Sequence, residues 1–78
     1  MSKKYVQVTA VFNEEGEIKP VNIHWEDGRN FEIDRITDIR RATTMRSGGQ
    51  GMRYTCMIMG RKSYLYYEND GRWFVDSK

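Results

Sequence analysis

The sequence predicts an all-β fold, a small antiparallel meander of about six strands closed into an SH3-like barrel. Apolar and polar residues alternate at the period of a half-buried strand in segment after segment. Turn chemistry recurs between these segments at spacings of about 8 to 15 residues, with Asp27-Gly28 and Asp70-Gly71 as the clearest hairpin signals. No stretch holds a helical period over the length of an ordinary helix.

The elements follow in order. Val6, Val8, Ala10 and Phe12 are apolar while Gln7 and Thr9 are not, which makes a first strand. Asn13-Glu14-Glu15-Gly16-Glu17 is a polar turn in which Gly16 can take positive φ. After Pro20, the residues Val21, Ile23 and Trp25 alternate with Asn22, His24 and Glu26, so a second strand starts beside the proline, where a missing N–H is tolerated. Asp27-Gly28 suits a type I′ turn into the next strand. There the pattern changes, because Ile33, Ile36 and Ile39 step by threes. That spacing fits a strand carrying bulges, or a short helix over 34–41 capped by Asp34, which would make the fold α+β. The β-branched content of Ile33, Ile36, Thr37, Ile39, Thr43 and Thr44 favours the bent strand. Ser47-Gly48-Gly49-Gln50-Gly51 reads as a mobile loop. Met52, Tyr54, Cys56 and Ile58 then alternate with polar and basic neighbours, Gly60-Arg61 marks a tight turn, and Tyr64-Leu65-Tyr66-Tyr67 forms the next strand. Asn69-Asp70-Gly71 turns the chain into Arg72-Trp73-Phe74-Val75.

The 78 residues are enough for one small domain over 1–78. A lone Cys56 forms no internal disulfide, and with His24 alone beside it the donor set of a structural zinc site is lacking, so neither metal nor cofactor is expected. Hydrophobic content of 38% with 13% aromatics argues for a packed core. The basic Lys3-Lys4 start runs into an alternating strand instead of the apolar core of a signal peptide, and no apolar run approaches a membrane span. With the free thiol, this gives the expectation of a cytoplasmic chain with no membrane attachment.

Charge is polarised along the chain. Between Asn13 and Asp34 seven acids face Lys19 and Arg29, a balance of −5, whereas from Arg35 to Lys62 seven bases (Arg35, Arg40, Arg41, Arg46, Arg53, Arg61, Lys62) face Asp38 alone, a balance of +6. Six of those bases are arginine, whose planar fork suits phosphate and carboxylate. Acidic and basic strands pairing across a sheet would produce the same polarity.

Parity separates two faces of the last three strands. With Tyr54, Cys56, Ile58, Leu65, Tyr67, Trp73 and Val75 inward, the outward set is Arg53, Thr55, Met57, Met59, Lys62, Tyr64, Tyr66, Arg72 and Phe74. That outer face is too apolar for plain solvent. Aromatics interleaved with bases suit a nucleic-acid platform, and methionines and aromatics flanked by arginine suit a protein interface. His24 lies on the polar parity with no second ligand, and Cys56 lies on the inward parity, where a thiol is inert. No base and nucleophile converge, so no enzyme is expected.

Several motifs, Trp25-Glu26-Asp27-Gly28-Arg29, Gly48-Gly49-Gln50-Gly51 with Arg53-Tyr54-Thr55, and Leu65-Tyr66-Tyr67-Glu68 with Gly71-Arg72-Trp73-Phe74-Val75, together resemble a group of short bacterial all-β proteins of unestablished function. The resemblance covers nearly the whole chain from Pro20 onward and implies a stand-alone bacterial cytoplasmic domain, with no activity attached. Gly48-Gly49-Gln50 is also similar to the catalytic tripeptide of peptide release factors, but Gly51-Met52-Arg53 departs from that family's pattern.

Two functional expectations follow. The first is a non-enzymatic interaction module that forms a homodimer or binds a protein partner through Met57, Met59, Tyr64, Tyr66 and Phe74. The second is a nucleic-acid binder with Arg40, Arg41, Arg46, Arg53, Arg61 and Lys62 on phosphates.

Overall fold

The computed structural model describes residues 2–43 and 50–77. It is all-β, with seven antiparallel strands: β1 (Ser2–Phe12), β2 (Ile18–His24), β3 (Asn30–Glu32), β4 (Arg35–Thr43), β5 (Gln50–Ile58), β6 (Arg61–Glu68) and β7 (Trp73–Ser77). They form one sheet in the order β3-β2-β1-β7-β6-β5-β4, curled into a half-barrel. Consecutive strands are neighbours except β3 and β4, and one pair of neighbours is not consecutive. The first strand pairs with the last, Ser2 opposite Ser77, and the chain crosses from one sheet edge to the other between β3 and β4.

That crossing resolves the three-residue steps. The expected bent strand divides at Ile33 and Asp34, which is why there are seven strands instead of about six. Ile33 N donates to Val21 O (3.0 Å) on β2, while Asp34 N donates to Met57 O (2.8 Å) on β5, so consecutive residues bond to strands in opposite halves of the sheet. A register shift at Thr37 then adds one residue between Ile36, opposite Cys56, and Asp38, opposite Thr55. The kink and the bulge each change the period from two to three, and Ile33 and Ile36 both pack against the core.

The interior follows the inward parity. Ile23, Tyr54, Cys56, Leu65 and Trp73 are buried, with Val6, Val8, Ile36, Ile58, Tyr67 and Val75 packed around them. The Tyr54 hydroxyl donates to Ile18 O (2.9 Å), a link across the interior from β5 to β2. Between the first half of β2 and β4 no ladder forms, which leaves the barrel half open along Pro20, Val21, Ile36 and Ile39.

Three boundaries differ from expectation. The second strand starts at Ile18, and Pro20 sits two residues inside it beside the β1 register shift, where the ladder is already interrupted. Gln50 and Gly51 belong to β5, and 44–49, including Arg46 and the rest of the expected loop, lie outside the described residues. The two Asp-Gly hairpins are not type I′. In each, only the glycine has positive φ (Gly28 91°, Gly71 90°), and paired bonds close a three-residue loop: Trp25 N to Arg29 O with Gly28 N to Trp25 O, and Glu68 N to Arg72 O with Gly71 N to Glu68 O. Both repeat one Asp-Gly-Arg device, in which the aspartate accepts from the backbone N–H and the guanidinium Nε of the arginine two residues on. These bonds, the backbone one foremost, hold the Asp27 and Asp70 carboxyls below the usual range.

Candidate interaction face and cleft

The outer face of β4 to β1 is built in rows fixed by the registers. Arg40 lies opposite Arg53, Arg53 opposite Tyr66, Tyr66 opposite Phe74, and Phe74 opposite Tyr5. The adjoining rows bring Asp38, Thr55 and Tyr64 together, then Arg35, Met57 and Lys62. Strand pairing therefore joins four of the expected interface residues, Met57, Tyr64, Tyr66 and Phe74, with four of the seven bases, Arg35, Arg40, Arg53 and Lys62. It does not unite all seven: Arg41 and Arg61 stand opposite Met52 and Ile58, on the other parity, and Arg46 lies outside the described residues.

Phe74 is a correction. It is 0% exposed and makes the floor of the face instead of its contact surface. Tyr66 stacks on it (4.8 Å between centroids, 4° between planes), Tyr5 meets it edge-on at 5.8 Å, and Lys3 Nζ lies 4.8 Å from its ring centre. Beside it Glu68, 3% exposed, accepts from the Tyr5 hydroxyl (2.9 Å) and from Lys3 Nζ (3.0 Å). A second, outer layer of packing thus sits on the convex side of the sheet. Arg72 covers Tyr5 (4.5 Å) and Arg53 covers Tyr64 (5.0 Å), so rings and guanidinium planes are already stacked on one another.

Two buried polar atoms among the described residues lack a partner, Arg53 Nε and Asp76 Oδ1, and both border β6. Asp76 lines a cleft of about 950 Å³ where β6 and β7 part. The β6–β7 ladder covers only Leu65 to Tyr67 against Val75 to Trp73, while β6 runs back to Arg61 and β7 continues to Ser77 beside β1. The apolar wall of the cleft comes from Ile23, Trp25, Phe31, Ile58 and Val75, and its rim from Arg61, Lys62 and Tyr64.

Met59 stands at the mouth of this cleft. With Gly60 it forms the two-residue turn between β5 and β6, both at positive φ (51° and 77°), as a type I′ turn requires. Asp34 Oδ2 accepts from Met59 N at 3.1 Å, so the β3–β4 bend holds this turn in place.

The two chemically reactive residues are placed as follows. Cys56 is fully buried, and burial pushes its thiol up to about 11. His24 Nε2 lies 2.6 Å from the Thr9 hydroxyl and Nδ1 lies 2.6 Å from Asn30 Oδ1. This order of hydroxyl, imidazole and amide matches a nucleophile, base and orienting group. It lies across the outer surface of β1, β2 and β3, with Thr9 and Asn30 exposed, and it lines none of the clefts described above. Among the described residues no group of three or more His, Cys, Asp or Glu converges, and no helix is long and apolar enough to cross a membrane.

Parity alone did not reveal Tyr5, Glu68, Asp76 or the Trp25–Phe31 wall. Tyr5 precedes the alternating run, Glu68 borders a turn, and the cleft depends on where a ladder stops. No family model matches the chain, and neither a curated protein nor a solved structure shows significant similarity to it.

Proposed function

We propose that the chain is a non-enzymatic interaction module of the bacterial cytoplasm, receiving a second copy of itself or another protein on the face formed by Met57, Met59, Tyr64, Tyr66 and the adjoining cleft. Met59 carries this reading. An exposed methionine (79%) occupies a left-handed turn position that Asn, Asp or Gly fills at lower energy. It gains little from burial against the described residues, which supports a role in contact with a partner, for which flexible thioethers are well suited. The unpartnered Asp76 Oδ1 and the exposed Tyr64 border the same mouth. Sedimentation velocity at micromolar concentration is expected to show association that weakens in Tyr64→Ser. A wild-type chain that stays monomeric at every concentration removes the self-association form of the reading.

A second reading, nucleic-acid binding, draws support from one observation. Arg53 stands opposite Arg40, whose Nε is already held by Asp38 at 2.7 Å, and its own Nε has no partner among the described residues, which leaves Arg53 as the guanidinium for a phosphate. Binding would then fall steeply with salt. Absence of a gel shift with single-stranded RNA or DNA at low salt removes it.

A further inference from the structure

We infer that the partner is a second copy whose β1–β2 hairpin tip enters the cleft between β6 and β7, so that copies join head to tail. This rests on the reading that the cleft face receives a partner, and it names that partner.

The tip has the character the cleft requires. Phe12 at the end of β1 is 68% exposed and Val11 is 52% exposed, an apolar pair at the hairpin end that stays largely uncovered by the described residues. Glu14 and Glu15 are exposed in the turn that follows, and Lys19, opposite Val11, is exposed on the returning strand. The turn is rigid: Asn13 Oδ1 accepts from Glu15 N (3.0 Å) and Glu17 N (2.9 Å), and Asn13 N donates to Glu17 O (3.0 Å). Its side chains are therefore presented without a large cost of ordering.

The cleft answers this pattern term by term. Its wall of Ile23, Trp25, Phe31, Ile58 and Val75 offers a surface for Phe12, the more exposed of the two. Arg61 and Lys62 at its rim make no ion pair among the described residues and complement Glu14 and Glu15, and Asp76 adds to the lining a carboxylate opposite in charge to Lys19. Arg29, also on the rim, is already held by Asp27 at 2.6 Å and adds little.

One molecule cannot satisfy itself. The tip lies at the Ile18 end of β2 and the cleft at the Ile23 end, with Trp25 beyond it. At about 3.3 Å per residue this is roughly 16 Å or more along a rigid strand. Tip and cleft thus occupy opposite ends of the barrel, a heterologous arrangement that propagates into rings or open chains.

The test uses two charge reversals on exposed residues: Glu14→Lys with Glu15→Lys at the tip, and Arg61→Glu with Lys62→Glu at the cleft. Circular dichroism first checks that both fold. Wild type is expected to associate in sedimentation velocity, and each reversal to self-associate at least about tenfold more weakly. Mixed one to one, the two variants should associate again in alternation, because the intact tip of one meets the intact cleft of the other and the two reversed surfaces are also of opposite charge. If wild type associates, the tip reversal has no effect and Tyr64→Ser still weakens association, head-to-tail docking is overturned while the cleft face stands as the interface. A monomeric wild type overturns docking of a second copy outright.

Discussion

Glu68 offers the sharpest test of how this chain stabilises its outer layer. Replacing it with Gln removes the charge that Lys3 and the Tyr5 hydroxyl both engage, at 3.0 and 2.9 Å, while keeping side-chain volume. Breaking a fully buried ion pair costs about 3–5 kcal/mol, and a hydrogen bond to a charged group is worth about 1.5–3 kcal/mol. Lys3 retains 27% exposure and Tyr5 44%, so water takes over part of what each loses, and the lower range applies. We expect Glu68→Gln to cost about 2 kcal/mol, which for a domain of this size lowers Tm by roughly 8–16 °C. Urea titration measures the loss, and a double-mutant cycle with Tyr5→Phe isolates the hydroxyl bond at about 1 kcal/mol. Molar salt should reduce the contribution of Lys3 more than that of Tyr5. A Glu68→Gln chain within about 0.5 kcal/mol of wild type would refute the argument that this carboxylate organises the face.

Further outcomes follow from features already described. Met59→Asn should raise stability by about 1 kcal/mol, since Asn tolerates the left-handed turn and no packing is lost, and it should weaken association; thermal melts and sedimentation read the two effects separately. Phe74→Ala should cost about 3–5 kcal/mol, which urea titration detects, because it empties the floor between Tyr5 and Tyr66. Cys56 should resist a thiol reagent at pH 8 in the folded chain and react at once in denaturant. Its folded value, about 11, lies above the unfolded one, so the associated stability is complete below about pH 9 and lost as pH rises toward 11. That amounts to a few kcal/mol at most, and burial of Tyr54, whose hydroxyl is also pushed up, acts in the same direction. Denaturant midpoints measured from pH 8 to 11 should fall accordingly, and Cys56→Ala should flatten part of the slope.

Most of the fold was legible because period two and turn chemistry are local. The inward set from Tyr54 to Val75 could be read from parity, and the steps of three among Ile33, Ile36 and Ile39 carried the kink and the bulge without revealing which was which. The Asp-Gly turns were legible as turns but not as a type, since the aspartate keeps negative φ and uses its carboxylate on the arginine two residues on. Less of the candidate site could be read. Tyr64 and Met57 followed from alternation, but alternation treats every outward residue as wet, and it gave no sign that Phe74 and Glu68 would be sealed beneath Tyr5, Tyr66 and Lys3. That sealing depends on β1 lying beside β7, a pairing between strands far apart in sequence. The cleft depends likewise on a ladder ending early, which no short-range pattern encodes.

The β1–β7 ladder also governs when the fold can form. Ser2 through Val6 pair with Ser77 through Trp73, so β1 completes its second ladder only after β7 has been made. Closure of so long a loop comes late and slowly, as in other β folds dominated by distant contacts. Until then the apolar side of β1 has β2 alone for company, and Val6, Val8 and the edge they share are open to neighbouring chains. A nascent chain held on the ribosome should therefore remain protease-sensitive until β7 has emerged, and become resistant in a single step.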